Sequence, residues 1–494
     1  MSSPDTLRAT PECASDCSQA APAALQWRET DRPKMNLAPA SIVEGAAPEL
    51  LPRIGSVPEI ILTRRGLRHW GRQSAVSLLD QGLTSAASFG LNVLLVRWMA
   101  AEDYGAFAVA FAAYLFVSGF HNVLLIEPLS VMGPSKYAAQ LSGYFRVQLG
   151  IHFLVVGVLS GVMLLVGILL SRAALRNSLP SAIVGSGLAL PFFLLLWLAR
   201  RMCYVAQRPG VAVLGSASHL CLLAMGMFLL HRFTQVSAFA SFLLVGLSSA
   251  VAASLVLLKL GLRKERSTSD FQVSWTEILR QNWSYGRWLT LTALLSWISI
   301  QVQVFSTASL LGLTSAGILR AMQLPSLVIS QVVSATTLLV LPSLARELGQ
   351  GNLARLHRKA ALTSFFLTSV GVSFVVFLFF FSTQFEHLLY GSRYRAYAWL
   401  IPILGLTPVF TGFCSSFSYA LRALGKSQYE LLAYILSALT AAISSAVFLP
   451  LWGLRGAVAS SVLTTAVLAV SVFSFYKRWG FRGNRQESLP AAAD

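Results

Sequence analysis

Charge is what this chain of 494 residues has least of. Asp, Glu, Lys and Arg together make up 12% of it, against 55% apolar residues, and the mean hydropathy is +0.64. A soluble chain carries about 25% charged residues, so an ordinary soluble enzyme is excluded. Cysteine is scarce too. Cys13 and Cys17 lie near the N-terminus, and Cys203, Cys221 and Cys414 lie in or beside apolar runs. No CxxC and no Cys/His cluster with zinc spacing occurs, so neither a disulfide framework nor a structural zinc site is expected. Catalytic signatures are also missing: no DxD pair, no HExxH and no GxSxG. Gly425-Lys426-Ser427 has the ending of a phosphate loop. Ala420 stands where its first glycine should be, and the segment joins two apolar runs, so it is no nucleotide site.

What the chain does have is long apolar runs, recurring from about Ser74 to Tyr476. A helix needs about 20 residues to cross about 30 Å of hydrocarbon, and about 12 runs meet this. They lie near 74–98, 105–127, 146–171, 181–203, 211–230, 237–260, 287–311, 315–343, 361–383, 397–420, 428–450 and 455–476. Residues 1–63 are rich in Ala, Pro and Ser and hold no apolar segment long enough for a signal peptide. They read as a disordered cytoplasmic tail, with Met35 as an alternative start. A basic stretch (Arg263, Lys264, Arg266) followed by an interfacial segment, Trp275 to Trp283, separates the sixth and seventh spans.

The net charge of +18 is unevenly placed. The first 63 residues carry eight acidic and five basic groups, so the rest carries 33 Lys/Arg and 12 Asp/Glu. Such a balance suits nucleic acid, but here the basic residues sit in short loops between apolar spans. With the N-terminus inside, 25 of them lie at cytoplasmic span ends and seven at the opposite ends. That is the positive-inside pattern for an even number of spans with both termini cytoplasmic. The outer loops are short, none exceeding roughly 15 residues, too small for a folded domain.

The sequence also repeats. Ala100-Ala-Glu-Asp-Tyr104-Gly105-Ala-Phe107, between the first two spans, parallels Gly312-Leu-Thr-Ser-Ala316-Gly317-Ile-Leu319, 212 residues later, between the seventh and eighth. Gln207-Arg208-Pro209, opening the fifth span, parallels Gly425-Lys426-Ser427, opening the eleventh, at an offset of 218. Two six-helix halves in the same order follow, a common transporter plan. The expected domains are a tail (1–63), an N-terminal bundle (64–262), a linker with the interfacial segment (263–286), a C-terminal bundle (287–478) and a C-terminal cytoplasmic tail (479–494).

Within lipid, polar side chains must face protein or a wet cavity. Four spans carry them at three-to-four spacing, which places them on one face. The first has Ser74, Ser77, Gln81, Thr84, Ser88 and Asn92; the second Tyr114, Ser118, His121 and Asn122. The seventh has Thr292, Ser296, Ser299, Gln303 and Ser306; the eighth Arg320, Gln323, Ser326, Ser330, Ser334 and Thr337. Single serines commonly mediate helix packing. Matched stripes in repeat-equivalent spans point instead to a shared central cavity. An intramembrane charge costs about 2.5–3.5 kcal/mol on insertion scales, which makes Arg320, the most deeply placed arginine, a candidate anion-binding group. Asp80, one to two turns into the first span, is either a cation or proton site or a structural partner. Arg97, Glu127, Arg146 and Arg287 sit at span ends, where long side chains snorkel. His152 and His219 read as packed or interfacial.

Several of these segments carry a family resemblance. Arg97-Trp-Met-Ala-Ala-Glu-Asp103-Tyr104-Gly105-Ala-Phe107 resembles the first intermembrane turn of the polysaccharide-biosynthesis flippases, in the multidrug/oligosaccharidyl-lipid/polysaccharide exporter superfamily. Val340-Leu-Pro342-Ser-Leu-Ala-Arg346, Leu389-Tyr390-Gly391-Ser-Arg393-Tyr394, Ala420-Leu-Arg422-Ala-Leu-Gly425-Lys426-Ser427 and Trp452-Gly453-Leu-Arg455-Gly456-Ala457 resemble later turns of the same family, in order. The resemblance covers about residues 70–480.

It implies an all-α polytopic protein of two six-helix, pseudo-symmetric bundles around a central cavity, in a bacterial inner membrane. It further implies alternating-access translocation of an undecaprenyl-diphosphate-linked oligosaccharide, an O-antigen or exopolysaccharide repeat unit, and no enzymatic activity. Arg320, Gln323, Arg97, Gln303, Asn92 and Arg287 are then the expected substrate-binding residues. Asp80 and Glu127 are expected coupling-ion or charge partners. No cofactor or metal is implied beyond H+ or Na+ as coupling ion. The implied partners are the lipid-linked oligosaccharide, membrane lipids, and a polysaccharide polymerase with its chain-length regulator. A cation-coupled multidrug antiporter of the same superfamily is the alternative; it calls for acidic cavity residues, which the spans largely lack. A membrane-embedded glycan polymerase or ligase would need a sizeable outer loop, which the sequence does not provide.

Overall fold

The computed structural model describes residues 64–173, 177–261 and 274–480. The expected tail, Cys13, Cys17, Met35, the basic Arg263–Arg266 stretch and residues 481–494 lie outside the described residues. The chain divides within its first helix, at His69/Trp70, and the helix packing lies in the unit that begins at Trp70.

Among the described residues the chain forms twelve long helices. They are α1 (Arg64–Trp98), α2 (Ala101–Ser135), α3 (Leu141–Arg172), α4 (Leu179–Val205), α5 (Pro209–Phe233), α6 (Ala238–Leu260), α7 (Trp275–Leu311), α8 (Leu313–Gly349), α9 (Leu353–Tyr390), α10 (Leu400–Ala423, interrupted at Gly405), α11 (Ser427–Trp452) and α12 (Leu454–Phe475). Local sequence starts and stops them. Pro180 and Pro209 open α4 and α5, where a missing N–H costs nothing. The Ser237 hydroxyl accepts from Ala240 N at the start of α6, and the Asn352 side chain accepts from Arg355 N at the start of α9. Gly312, at φ +85°, makes the turn between α7 and α8 in a backbone region that side chains disfavour.

Eleven of the twelve are long and apolar enough to cross a membrane. The exception is α1, which at 35 residues has the length but not the hydropathy. Ser77, Asp80, Gln81, Thr84, Ser85, Ser88 and Asn92 dilute it. The stripe that marks α1 as functionally interesting is therefore the stripe that removes it from a hydropathy count. The interfacial segment Trp275–Trp283 is the first part of α7 rather than a separate element.

The packing repeats as the sequence does. α4 lies against α6, α3, α5 and α2; in the second half, α10 lies against α12, α9, α11 and α8. The α5–α6 contact has its counterpart in α11–α12. Small residues permit the closest approaches. A Cβ on Gly246 of α6 would lie 2.9 Å from the Ala189 Cα of α4. In α11 and α12, Ser444 and Ser445 share hydrogen bonds with the Ser460 hydroxyl at 2.7 and 3.0 Å. Between helices in lipid, such small and hydroxyl residues supply the packing that hydrophobicity cannot.

The repeat also shows on the outside. Phe153, Leu154, Val158, Val162, Leu165 and Leu169 form an exposed apolar face on α3; Phe365, Phe366, Val372, Phe379 and Phe380 do so on α9. Apolar faces of this extent on a folded chain belong against acyl chains. The protein is thus an all-helical, multi-pass membrane protein of two pseudo-equivalent halves.

Candidate functional site

The halves meet most closely where α2 and α8 begin. A Cβ on Gly105 would lie 1.8 Å from the Leu313 carbonyl oxygen, and one on Gly317 would lie 2.2 Å from that of Ala101. Only glycine at both positions lets the two backbones cross. Two arginines bind the same end together. Arg97, at the end of α1, donates from Nε to the Leu389 carbonyl at 2.6 Å and from Nη2 to that of Leu388. In return Arg393 donates from Nη1 to the Val96 and Arg97 carbonyls, at 3.4 and 3.2 Å. These carbonyls end their helices without intrahelical partners, so each guanidinium caps a helix of the opposite half. Tyr390 adds a bond from its hydroxyl to the Ala321 carbonyl at 2.6 Å. Behind it, the wholly buried Glu386 accepts from Tyr394 N at 2.7 Å.

Below this latch lies Arg320, about two turns into α8. Its guanidinium sits over the Phe111 ring of α2, 5.9 Å from the centroid, and Nη1 donates weakly to Gln323 Oε1 at 3.5 Å. Tyr104 lies within its electrostatic reach and donates to Asn92 Oδ1 at 3.2 Å. Arg320 makes no ion pair among the described residues. Asn92, Phe111 and neighbouring aromatics also line a cavity of about 30 Å³ inside the first half, room for about one water. Along α2 the rings of Tyr104, Phe107, Phe111 and Tyr114 stack in succession, and Phe193 of α4 continues the row.

Of the expected substrate-binding residues, then, Asn92, Arg320 and Gln323 converge. Arg97 lies in the latch above them. Gln303 turns into the second half, its amide nitrogen donating to Ser299 O and to Thr464 Oγ1 of α12, each at 3.3 Å. Arg287 is exposed about three turns into α7, beside Gly286, which packs on Val123 and Leu124 of α2. The α2 stripe does not line the seam: Tyr114, Ser118 and His121 point into the first half and are buried there.

The two expected charge partners differ. Asp80, 1% exposed, is held by three side chains through four hydrogen bonds. Arg200 donates from Nη2 to Oδ2 at 2.6 Å and from Nε to Oδ1 at 3.3 Å; the Tyr204 hydroxyl donates to Oδ2 and that of Ser216 to Oδ1, at 2.6 and 2.5 Å. Glu127 is half-buried. It accepts from Asn122 Nδ2 at 3.2 Å and feels Arg201 of its own half and Arg422 of the other.

Sequence reading missed a second pair, in which the exposed Arg422 of α10 grips the buried Glu430 of α11 through Nε and Nη2, at 2.5 and 2.7 Å. Its trace was an Arg and a Glu flanking the Gly425 turn at the end of two spans. No metal-holding group of three or more His, Cys, Asp or Glu occurs among the described residues.

No protein-family profile and no curated protein matches the chain. Solved structures do. An inward-facing multidrug resistance MATE family transporter of the MOP superfamily aligns over 81% of this chain and 97% of its own, at TM-score 0.65 and 14% identity. The lipid II flippase MurJ, in an inward closed conformation, aligns over 82% and 87%, at 0.64 and 12%. An outward-facing MATE transporter aligns over 82% and 94%, at 0.58 and 14%. The fold is that of the MOP-superfamily transporters. At these identities the likeness establishes the fold alone. It includes both MATE transporters and a lipid II flippase, so the choice between them rests on the side chains at the seam.

Proposed function

We propose that this chain is a flippase of the bacterial inner membrane that carries an undecaprenyl-diphosphate-linked oligosaccharide from the cytoplasmic to the periplasmic leaflet by alternating access. The observation that carries this reading is Arg320: a guanidinium at membrane depth, at the junction of α1, α2 and α8, with an aromatic face and an amide beside it and no carboxylate. A charge so placed costs about 2.5–3.5 kcal/mol on insertion scales, and a diphosphate offsets that through charge-assisted, forked hydrogen bonds. The antiporter reading needs ionised carboxylates free to meet a cationic drug. Asp80 and Glu430 are each already neutralised by an arginine, which leaves that reading to Glu127 and Glu386, whose hydrogen bonds come from Asn122 and the Tyr394 backbone.

The positive-inside count favours cytoplasmic termini, and on that orientation the Arg97–Arg393 latch would lie on the periplasmic side. The structure would then be the form closed on the periplasmic side. The higher TM-score against the inward-facing than the outward-facing MATE structure, 0.65 against 0.58, agrees with this. The moving bodies would be the halves 64–262 and 287–478. A polymerase and chain-length regulator would receive the product, and H+ or Na+ would supply coupling energy.

The test is reconstitution into liposomes with a lipid-linked oligosaccharide, scored by its accessibility in the outer leaflet. Wild type should translocate it, and Arg320→Ala should slow translocation by at least about tenfold, the loss of one charge-assisted contact. Equal rates would remove the site assignment. Proton- or sodium-driven transport of an organic cation, with no lipid flipping, would replace the function by the antiporter.

A further inference from the structure

His121 of α2 and His152 of α3 are both wholly buried, and their rings meet with Nε2 of His121 3.0 Å from Nδ1 of His152. The remaining nitrogens fix the protonation. His152 Nε2 lies 3.1 Å from the Pro191 carbonyl of α4, which can only accept. His152 is therefore protonated on Nε2, and its Nδ1 is a lone pair. His121 must then donate from Nε2, which leaves its own Nδ1 unprotonated. That atom has no partner.

The pair stands at a structural irregularity. A π-helical turn, Asn122–Ile126, begins at the next residue, and π turns mark functional positions more often than chance. The turn divides α2 into two arms. The arm before it carries Gly105 and the crossing with α8. Both arms and the turn pack on α7: before the turn the Trp297 indole donates to the Ala112 carbonyl at 2.9 Å, and in the turn a Cβ on Gly286 would lie 3.0 Å from the Val123 carbonyl oxygen.

We propose that the His121–His152 pair is a proton-binding site that controls the angle between these two arms and so the crossing of the halves. This rests on reading the chain as an alternating-access transporter. A proton added at His121 Nδ1 creates an imidazolium whose new N–H has no acceptor in a dry site. Among the described residues the titratable group facing it is His152 of α3, itself committed to the α4 carbonyl; α4, α6, α7 and α8 bring no charge to bear on it. The present arrangement therefore belongs to the neutral pair. Protonation favours one in which α2 pivots at the π turn, Nδ1 reaches water, and Gly105 withdraws from Gly317. The proton comes from bulk water and returns to it, so nothing else is consumed.

The experiment needs no substrate, which separates it from the test of function. Hydrogen exchange is followed in the purified protein at residues 101–105 and 313–317, from pH 8 to 5.5, after correction for intrinsic exchange rates. In wild type, protection should be flat above about pH 6.5, the ordinary histidine value, and fall below it by up to about tenfold per pH unit for a one-proton equilibrium. His121→Gln keeps a donor toward His152 but cannot take the proton, so its protection should not change with pH. A flat wild-type profile, or a variant that follows wild type, overturns the proposal. Nitrogen-15 spectra of histidine-labelled wild type serve if the variant does not fold. The spectra, followed to the pH at which protection is lost completely, must show one of the two imidazoles protonated in that form; two neutral imidazoles there overturn the proposal equally.

Discussion

Gly105 of α2 and Gly317 of α8 occupy equivalent positions in two sequence repeats 212 residues apart, and they touch each other backbone to backbone. The repeat is thus its own contact. Each half contributes the same small residue at the same helix start, and the pseudo-two-fold relation brings the copies together. Gly105→Ala or Gly317→Ala places a methyl where a carbonyl oxygen now lies, so the arrangement with crossed helices should weaken by about 1–3 kcal/mol, the usual cost of overpacking. Gly82→Ala is the control, since a Cβ there meets nothing within 4 Å. Thermal unfolding in detergent, with hydrogen exchange at the helix starts, should separate the two classes.

The Arg97 and Arg393 caps act on the same equilibrium through different chemistry. Each satisfies helix-end carbonyls of the other half. Arg97→Ala with Arg393→Ala should therefore leave each half folded while raising the population that is open at this end. Exchange at residues 97–105 and 388–397 should accelerate by about tenfold or more, at about 0.5–1.5 kcal/mol per bond lost. Protection inside α4 and α6 should be unchanged. Uniform loss across the chain would mean the arginines hold the fold rather than the latch.

Asp80 is predicted to stabilise the first half rather than to carry an ion. Asp80→Ala would strand Arg200, Tyr204 and Ser216 at a buried site. Breaking a buried pair costs about 3–5 kcal/mol, whereas replacing both partners by apolar residues of similar volume is often neutral. Asp80→Leu with Arg200→Met should recover most of the melting temperature lost in Asp80→Ala. If the double variant instead regains stability but loses cation-dependent transport, Asp80 serves coupling after all.

The fold was legible because a membrane enforces it. The length of each apolar run, the basic loop ends and the two turn repeats led to the helix order and the two-half plan without any contact being known. The site was legible only in part. Asn92, Arg320 and Gln323 converge because charge and amide groups at membrane depth have few permissible surroundings. Gln303 does not join them, since its stripe on α7 also faces α12, and spacing tells which residues share a face but not what that face meets. The α2 stripe fails for the same reason: Tyr114, Ser118 and His121 are buried inside the first half, while Ala101 and Gly105 face α8 and Phe111 meets its Arg320. The Arg200–Asp80 and Arg422–Glu430 pairs join residues on different helices, and an arginine at a span end looks the same whether it snorkels or pairs.

Arg320 offers the sharpest separation between a flippase and a drug exporter, because its substitutions should rank differently in the two. Lysine keeps the charge but not the planar fork or the stacking on Phe111, so Arg320→Lys should retain part of the lipid-linked oligosaccharide transport. Arg320→Gln keeps hydrogen bonding without charge and should retain less. Arg320→Glu would set a carboxylate against a diphosphate and should abolish it. An exporter of organic cations predicts the reverse order, with glutamate the most active, since a cation would gain a partner where it now meets a guanidinium. Rates from the liposome assay, for both substrate classes and all three variants, fix the order. Stability should not confound it: removing a charge that lacks an ion pair relieves a desolvation cost, so Arg320→Gln should melt no lower than wild type, and a marked fall would show that Arg320 supports the α2–α8 packing instead.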